Sequence, residues 1–448
     1  MKNRTRSLLT TLSLAAVMSL SPCMAQETKE NNSILTTYAN IANANYNDAL
    51  SGAKELKTAV DTFAKNPSDE SMKKAKEAWL SARESYGQTE IFRLAHGPID
   101  AEDGWVAKSY GAPEGQLNAW PLDENMIDYT IDANGKRTSG NIIDTKGLFN
   151  PGGENAKAVD VTTITPTAIA ELNENGGDAN VATGYHAVEF LLWGQDQDYA
   201  SFVKDSITKG AMTAGQRALS DFTTDKDAPR RVAYLQAATD KIVEDLTAVN
   251  SAWSKTISKD CATDATGCYR AAFLGELTGA DSSKNIAPNE AKKGILAAMG
   301  VFIKSELANE RVAVAVLTPS EEDEHSCFSD NTHRDIYANY QGFKNVLTGS
   351  YNNTLYGKSP LQSMSKTAQS EMTLLMSNIE MKIASINEIA KTSRHFDHQI
   401  QPNDPQAKVI VKLKNELRKL GDKMVDVASA NGVKLTVEDV TDAEETKL

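Results

Sequence analysis

Residues 70–94 read ESMKKAKEAWLSARESYGQTEIFRL. Trp79, Arg83, Tyr86 and Glu90 recur every three or four residues, which aligns them on one face of an α-helix. Lysines and glutamates crowd the other faces, and Ser68 or Asp69 supplies an N-cap after Asn66-Pro67. The stretch is a helix running to about residue 94. Its arginine and glutamate, on a stripe anchored by Trp79 and Tyr86, are either an internal ion pair or part of a site.

The rest of the chain repeats this style. Helical periodicity covers 34–64, 165–174, 184–194, 227–257, 288–316, 329–349, 365–390 and 404–432. Strand-like alternation is scarce. The prediction is an all-α protein of two helical-bundle domains, 26–257 and 288–448, joined by a connection over 258–287. Residues 95–162 break the pattern with Gly, Pro and Asn, and a loop of that length tends to carry function.

Residues 1–25 lie outside the fold in this reading. Lys2, Arg4 and Arg6 precede the short apolar run LLTTLSLAAVMSL, and Cys23-Met24-Ala25 offers a cleavage site, as in a secretory signal. Pro22 stands where lipidation of Cys23 would want a small residue. No later run reaches the roughly 20 apolar residues of a membrane span. The expected location is outside the cytoplasm, in the periplasm or associated with the outer membrane.

The chain carries a net charge of −13. Loss of the three basic leader residues takes it to about −16, a balance that argues against nucleic acid or anionic lipid as partner. It suits a cation and equally suits an ordinary soluble protein. Cys261 and Cys268 bracket CATDATGC in an exported chain, so they are expected to form a disulfide. Cys327 is left as a buried free thiol, and paired-Cys zinc patterns are missing.

The chain contains no His-Glu-x-x-His, Gly-x-Ser-x-Gly or phosphate-binding glycine loop. It does contain GYHAVEFLLWGQD at 184–196, where His186 and Glu189 share a helix face with Phe190 and Trp193. A carboxylate on so apolar a stripe must be paired, metal-bound or protonated, because desolvating it alone costs several kcal/mol. A lone His-x-x-Glu is commonly structural; on a bundle helix the same pair can hold iron or manganese.

Two further groups could contribute. Asp100, Asp103, Asp123 and Asp128 are oxygen donors or plain loop acids. EEDEHSCFSDNTHRD at 321–335 gathers His325 and His333 with Glu321, Glu322, Asp323, Glu324, Asp330 and Asp335. It either binds a cation or caps the helix that follows. His395 and His398 read as loop or surface histidines.

Four segments, AWLSARESYGQTEIFR (78–93), LNAWPLDENMIDY (117–129), GYHAVEFLLWGQD and EDEHSCFSDNTHRDI (322–336), resemble the imelysin family, in its iron-regulated protein A branch. That family is one of bacterial envelope proteins classed with the metallopeptidases, marked by Gly-x-His-x-x-Glu. The resemblance runs over roughly 34–430 and implies a helical two-bundle fold with iron-linked expression. Gly184, His186 and Glu189 match the signature; Arg83 and Glu90 match basic and acidic positions of the second-helix segment.

The expected metal ligands are His186, Glu189 and Glu90, with Arg83, Gly184, Tyr86 and Trp193 around them. The expected cofactor is one divalent or trivalent ion, iron ahead of zinc because the donors are nitrogen and oxygen without thiolate. The expected partner beyond the ion is an envelope iron-uptake system. Two other readings stay open: a metallopeptidase with Glu189 or Glu90 as base, and a metal-free ligand-binding module anchored by Arg83.

Overall fold

A computed structural model describes residues 33–132, 134–195, 214–317, 319 and 324–442. The leader expected over residues 1–25 and the acids Glu321, Glu322 and Asp323 lie outside the described residues. The chain is mostly helical, with negligible sheet.

Helix α1 spans Ile34–Lys65, capped by the Ser33 hydroxyl accepting from the Thr36 amide at 3.3 Å. Helix α2 spans Asp69–Thr89 behind a Ser68/Ser71 capping box. A tighter 3₁₀ turn, Glu90–Phe92, ends it. Helix α3 (Gly184–Trp193) and helix α4 (Ala228–Ala252) complete the first half. In the second half come α5 (Pro288–Val301), α6 (Thr332–Thr348), α7 (Lys366–Thr392), α8 (Ala407–Asp422) and α9 (Met424–Ala430).

Three expectations need correction. The single helix read over 288–316 is α-helical only to Val301, then π-helical over Phe302–Ala313, then α-helical again to Leu317. Nearly every residue of the π-helical stretch is buried, so burial there carries no period that would separate the two helix types. The helix read over 404–432 breaks at Lys423. The loop of 95–162 contains short helices at Gly104–Tyr110, Glu114–Asn118 and Glu124–Ile127, and a two-residue antiparallel pair, Leu148–Phe149 with Val159–Asp160.

One apolar cluster runs from Ile34 to Val440 and draws on both halves. Every residue of α3 is buried, so this helix has no solvent face at all. Helices α2 and α6 cross in close contact, and glycine makes that possible. A Cβ on Gly87 would lie 2.8 Å from the Ala338 Cβ, and one on Gly342 would lie 2.4 Å from the Gln88 carbonyl oxygen. Polar pins run along the same seam: Arg83 to Asp335, Glu84 to Arg334, and Asn339 Nδ2 donating to the Gly87 carbonyl at 3.0 Å. The Cys261–Cys268 disulfide is formed, and Cys327 is buried and unbridged. Among the described residues no helix is long and apolar enough to cross a membrane.

Candidate functional site

Gly184 opens α3 with φ +83°, a left-handed conformation that L side chains rarely adopt. A Cβ there would sit 2.5 Å from the Leu117 carbonyl oxygen. That close approach seats the start of α3 against the short helix Glu114–Asn118, just before Trp120. Two residues on, His186 points away from solvent, fully buried. Its Nδ1 lies 3.0 Å from Glu189 Oε2, the i,i+3 contact of the helix.

The other ring nitrogen meets a partner from far along the chain. His186 Nε2 and His325 Nε2 face each other at 3.1 Å. His325 Nδ1 in turn lies 2.9 Å from Asp335 Oδ2. Asp335 Oδ1 accepts from Arg83 Nη2 at 2.9 Å, and Ser326 Oγ donates to Oδ2. At the opposite end the Ser329 amide and hydroxyl donate to Glu189 Oε1 at 3.0 and 2.6 Å. The result is a buried line of polar groups: Arg83, Asp335, His325, His186, Glu189, Ser329.

Hydrogen placement along this line is constrained. Arg83 and His325 hold the Asp335 carboxyl well below the usual range, against the upward push of burial. An ionised Asp335 takes the His325 Nδ1 hydrogen, which leaves His325 Nε2 a bare lone pair. His186 must then donate from Nε2, so its Nδ1 is an acceptor and needs a hydrogen from Glu189. Burial pushes Glu189 up to about 8, which supplies that hydrogen at neutral pH. Both imidazoles stay neutral: burial pushes His325 down to about 4 and His186 well below its ordinary value.

The surroundings hold the line rigid. The Arg83 guanidinium lies over the rings of Trp79, Tyr86 and Tyr185, 5.4–5.8 Å from their centroids, and donates to Asn118 Oδ1 at 2.7 Å. Trp79 Nε1 donates to the Tyr185 carbonyl at 2.9 Å. The half-buried Trp120 ring lies 4.9 Å from the His186 ring and 6.4 Å from that of His325. Trp193 packs on Trp79 at the far end of α3, and Phe190 packs on Phe328.

Other expected site residues go elsewhere. Glu90 accepts from Arg311 at 3.4 Å and faces Arg93 at 3.8 Å. The helix expected to run to about residue 94 tightens into a 3₁₀ turn at Glu90, whose carboxylate still acts electrostatically on Arg83 and Tyr86. Asp128 is clamped by Arg231 and Arg217, Asp100 accepts from the Leu94 and Gly97 amides, and Asp123 caps a short helix. Asp103 immediately precedes the helix at Gly104. His333 bonds the Asp330 carbonyl at 3.0 Å. His395 faces Asp330 at 3.4 Å and is partly exposed, and His398 belongs to a short helix, Phe396–Gln399.

His325 and Asp335 were legible only as members of an acidic, histidine-bearing segment; their pairing with His186 has no signal in local spacing. Trp120 and Ser329 carried none either. Among the described residues no three His, Cys, Asp or Glu side chains converge as a metal cage. The convergence is of two nitrogens.

The family profile of imelysin (peptidase M75) matches residues 42–424. The chain belongs to the imelysin family. The iron-regulated protein A of Synechococcus elongatus (strain ATCC 33912 / PCC 7942 / FACHB-805) is 23% identical over 306 residues, 68% of this imelysin-family chain. The match spans 60% of that relative's length. The crystal structure of a protein assigned as an iron-regulated protein A precursor from Parabacteroides distasonis ATCC 8503 has the same fold, with a TM-score of 0.53 at 18% identity. That likeness covers 87% of this chain and 94% of the other.

Proposed function

We propose that this imelysin-family protein binds one metal ion between His186 Nε2 and His325 Nε2 and serves iron handling in the bacterial envelope. The facing nitrogen pair carries the reading. Two imidazoles each bonded through Nδ1 to a carboxyl group, with their Nε2 atoms facing one another, would be oriented as histidine ligands once an ion replaces the hydrogen between them. Metal–nitrogen bonds of about 2.0–2.1 Å at a tetrahedral angle would set the two nitrogens roughly 3.3 Å apart. The observed 3.1 Å needs little adjustment.

In this reading Glu189 acts behind His186 and Asp335 behind His325, while Arg83 fixes Asp335. Glu90 takes no part. The remaining coordination positions fall to water or to a carried anion. The nitrogen-and-water donor set suits ferrous iron and zinc, and the iron-regulated names of the relatives favour iron. Calorimetric titration of the chelator-stripped mature protein with ferrous iron, and separately with zinc, tests it. Binding near one ion per chain is expected, lost in both His186→Ala and His325→Ala. Unchanged binding in His325→Ala would overturn the assignment.

A metallopeptidase is the second reading, favoured by Glu189: a carboxyl pushed up to about 8, which would give up its proton as the ion binds, suits a general base. It requires chelator-sensitive cleavage of a peptide library. Cleavage should vanish in Glu189→Gln while metal content is retained; cleavage that survives chelation excludes it.

A further inference from the structure

Away from the histidine pair, five aromatic rings from four parts of the chain surround one small cavity of about 90 Å³. Tyr38 comes from α1, Phe92 from the turn after α2, and Trp253 from the end of α4. Tyr269 and Phe273 come from the helix Cys268–Leu274. The rings contact one another, mostly edge-on, with centroids 5.0–6.4 Å apart. Such a box is more commonly a core junction than a site. Three observations separate this one from ordinary core.

First, the Tyr38 and Tyr269 rings are buried, at 3% exposure each, and both line the cavity. The Tyr269 hydroxyl lies 3.5 Å from where a Cβ on Gly97 would stand, and Gly97 also lines the cavity. Unlike the sealed phenols of Tyr46 and Tyr185, these two oxygens are not closed off, so the cavity is open to an occupant that need not hydrogen-bond them. Second, the charge at the cavity has one sign. Exposed Glu290 is the charged residue among its lining, no Lys or Arg lines it, and the Asp100 carboxylate acts electrostatically on both tyrosines from behind. Third, the mouth is open at Gly294 on α5, where an added Cβ would meet nothing within 4 Å.

We propose that this aromatic box is a binding site for a small methylated ammonium group, quaternary or tertiary. Aromatic faces attract cations without asking for hydrogen bonds, and they do so best when the cation is poorly hydrated. A carboxylate at the rim adds attraction without closing the cavity. The volume equals about three waters of liquid, which suits a trimethylammonium head and excludes a bulky ligand. The phenol oxygens present lone pairs to the cation's polarised methyl groups.

The test titrates the full mature protein by calorimetry with tetramethylammonium and choline, against the neutral tert-butyl analogue of choline, at matched ionic strength. The cations are expected to bind about tenfold more tightly than the neutral analogue. Gly294→Leu, a helical position with ordinary φ and open space, should plug the mouth and abolish binding while leaving the melting temperature unchanged or higher. Glu290→Gln, on the surface, should weaken binding several-fold. Equal affinity for the neutral analogue, no cation binding at millimolar concentration, or unchanged binding in Gly294→Leu would overturn the proposal. Neither variant touches the histidine pair, so metal binding should be unaltered in both.

Discussion

At Glu189 the proton inventory makes sharp demands. A cation between the two Nε2 atoms turns His186 into an Nδ1–H donor and leaves Glu189 with no use for its own hydrogen. About one proton should therefore leave per ion bound near pH 7, and affinity should rise with pH up to about 8. Titrations in buffers of different ionisation enthalpy read that proton directly; proton-neutral binding would reject the hydrogen placement. Metal-free stability should follow the same groups. Glu189 has its pKa raised on folding, so its contribution is complete below about pH 4.3 and fades as pH climbs through about 8. His325, lowered to about 4, contributes fully above about pH 6.5 and loses that as pH falls. The two slopes cancel between about pH 4.3 and 6.5, and His186, also held below its ordinary value, tips the stability maximum to about pH 6.5; Glu189→Gln should flatten the decline on the alkaline side in pH-dependent urea unfolding. Asp335→Asn strands the buried Arg83 charge and should cost about 3–5 kcal/mol of unfolding free energy. A loss under about 1 kcal/mol would mean that Asn118 and the three rings suffice for Arg83.

Between elements, the seam of α2 and α6 sets the distance from Arg83 to Asp335. Gly342 touches backbone there, and a carbonyl oxygen at 2.4 Å from a new Cβ cannot swing aside. Gly342→Ala should force the helices apart, losing about 1–3 kcal/mol in chemical denaturation. Metal binding at His325 should fall with it, since Asp335 rides on α6. Gly294→Leu, on an open helix face, is the matched control. The α2 stripe and the closed environment of Glu189 were legible in the sequence because a 3.6-residue period and an apolar run report burial directly. The π-helical stretch Phe302–Ala313 was not, since its burial pattern also satisfies an α-helix. Nor were the short helices between residues 95 and 162, which rest on turn-level contacts too brief for a period. Glu90 pairs with Arg311, a contact from another part of the chain that spacing along one helix does not encode. The partnership of His186 and His325 is a contact across 139 residues, and no local pattern encodes such a distance.

Across the whole molecule, acidity and family membership agree with a cation-handling role without specifying it, since −13 is also an ordinary solubility device. The continuous apolar cluster ties the halves together, and the imelysin profile spans both. The histidine contact has a mechanical consequence. It closes a loop from α3 to the segment before α6, so separating the two halves of the chain breaks it. An ion held there would act as a latch: at a hundred times its dissociation constant it would add about 2.7 kcal/mol to the folded state. Because neither half keeps the latch alone, that energy belongs to their cohesion. In scanning calorimetry the stripped protein should melt at lower temperature and over a wider range than the loaded one. Loading should merge the unfolding of the two halves into a single sharp event, making metal supply a control on how long the protein survives.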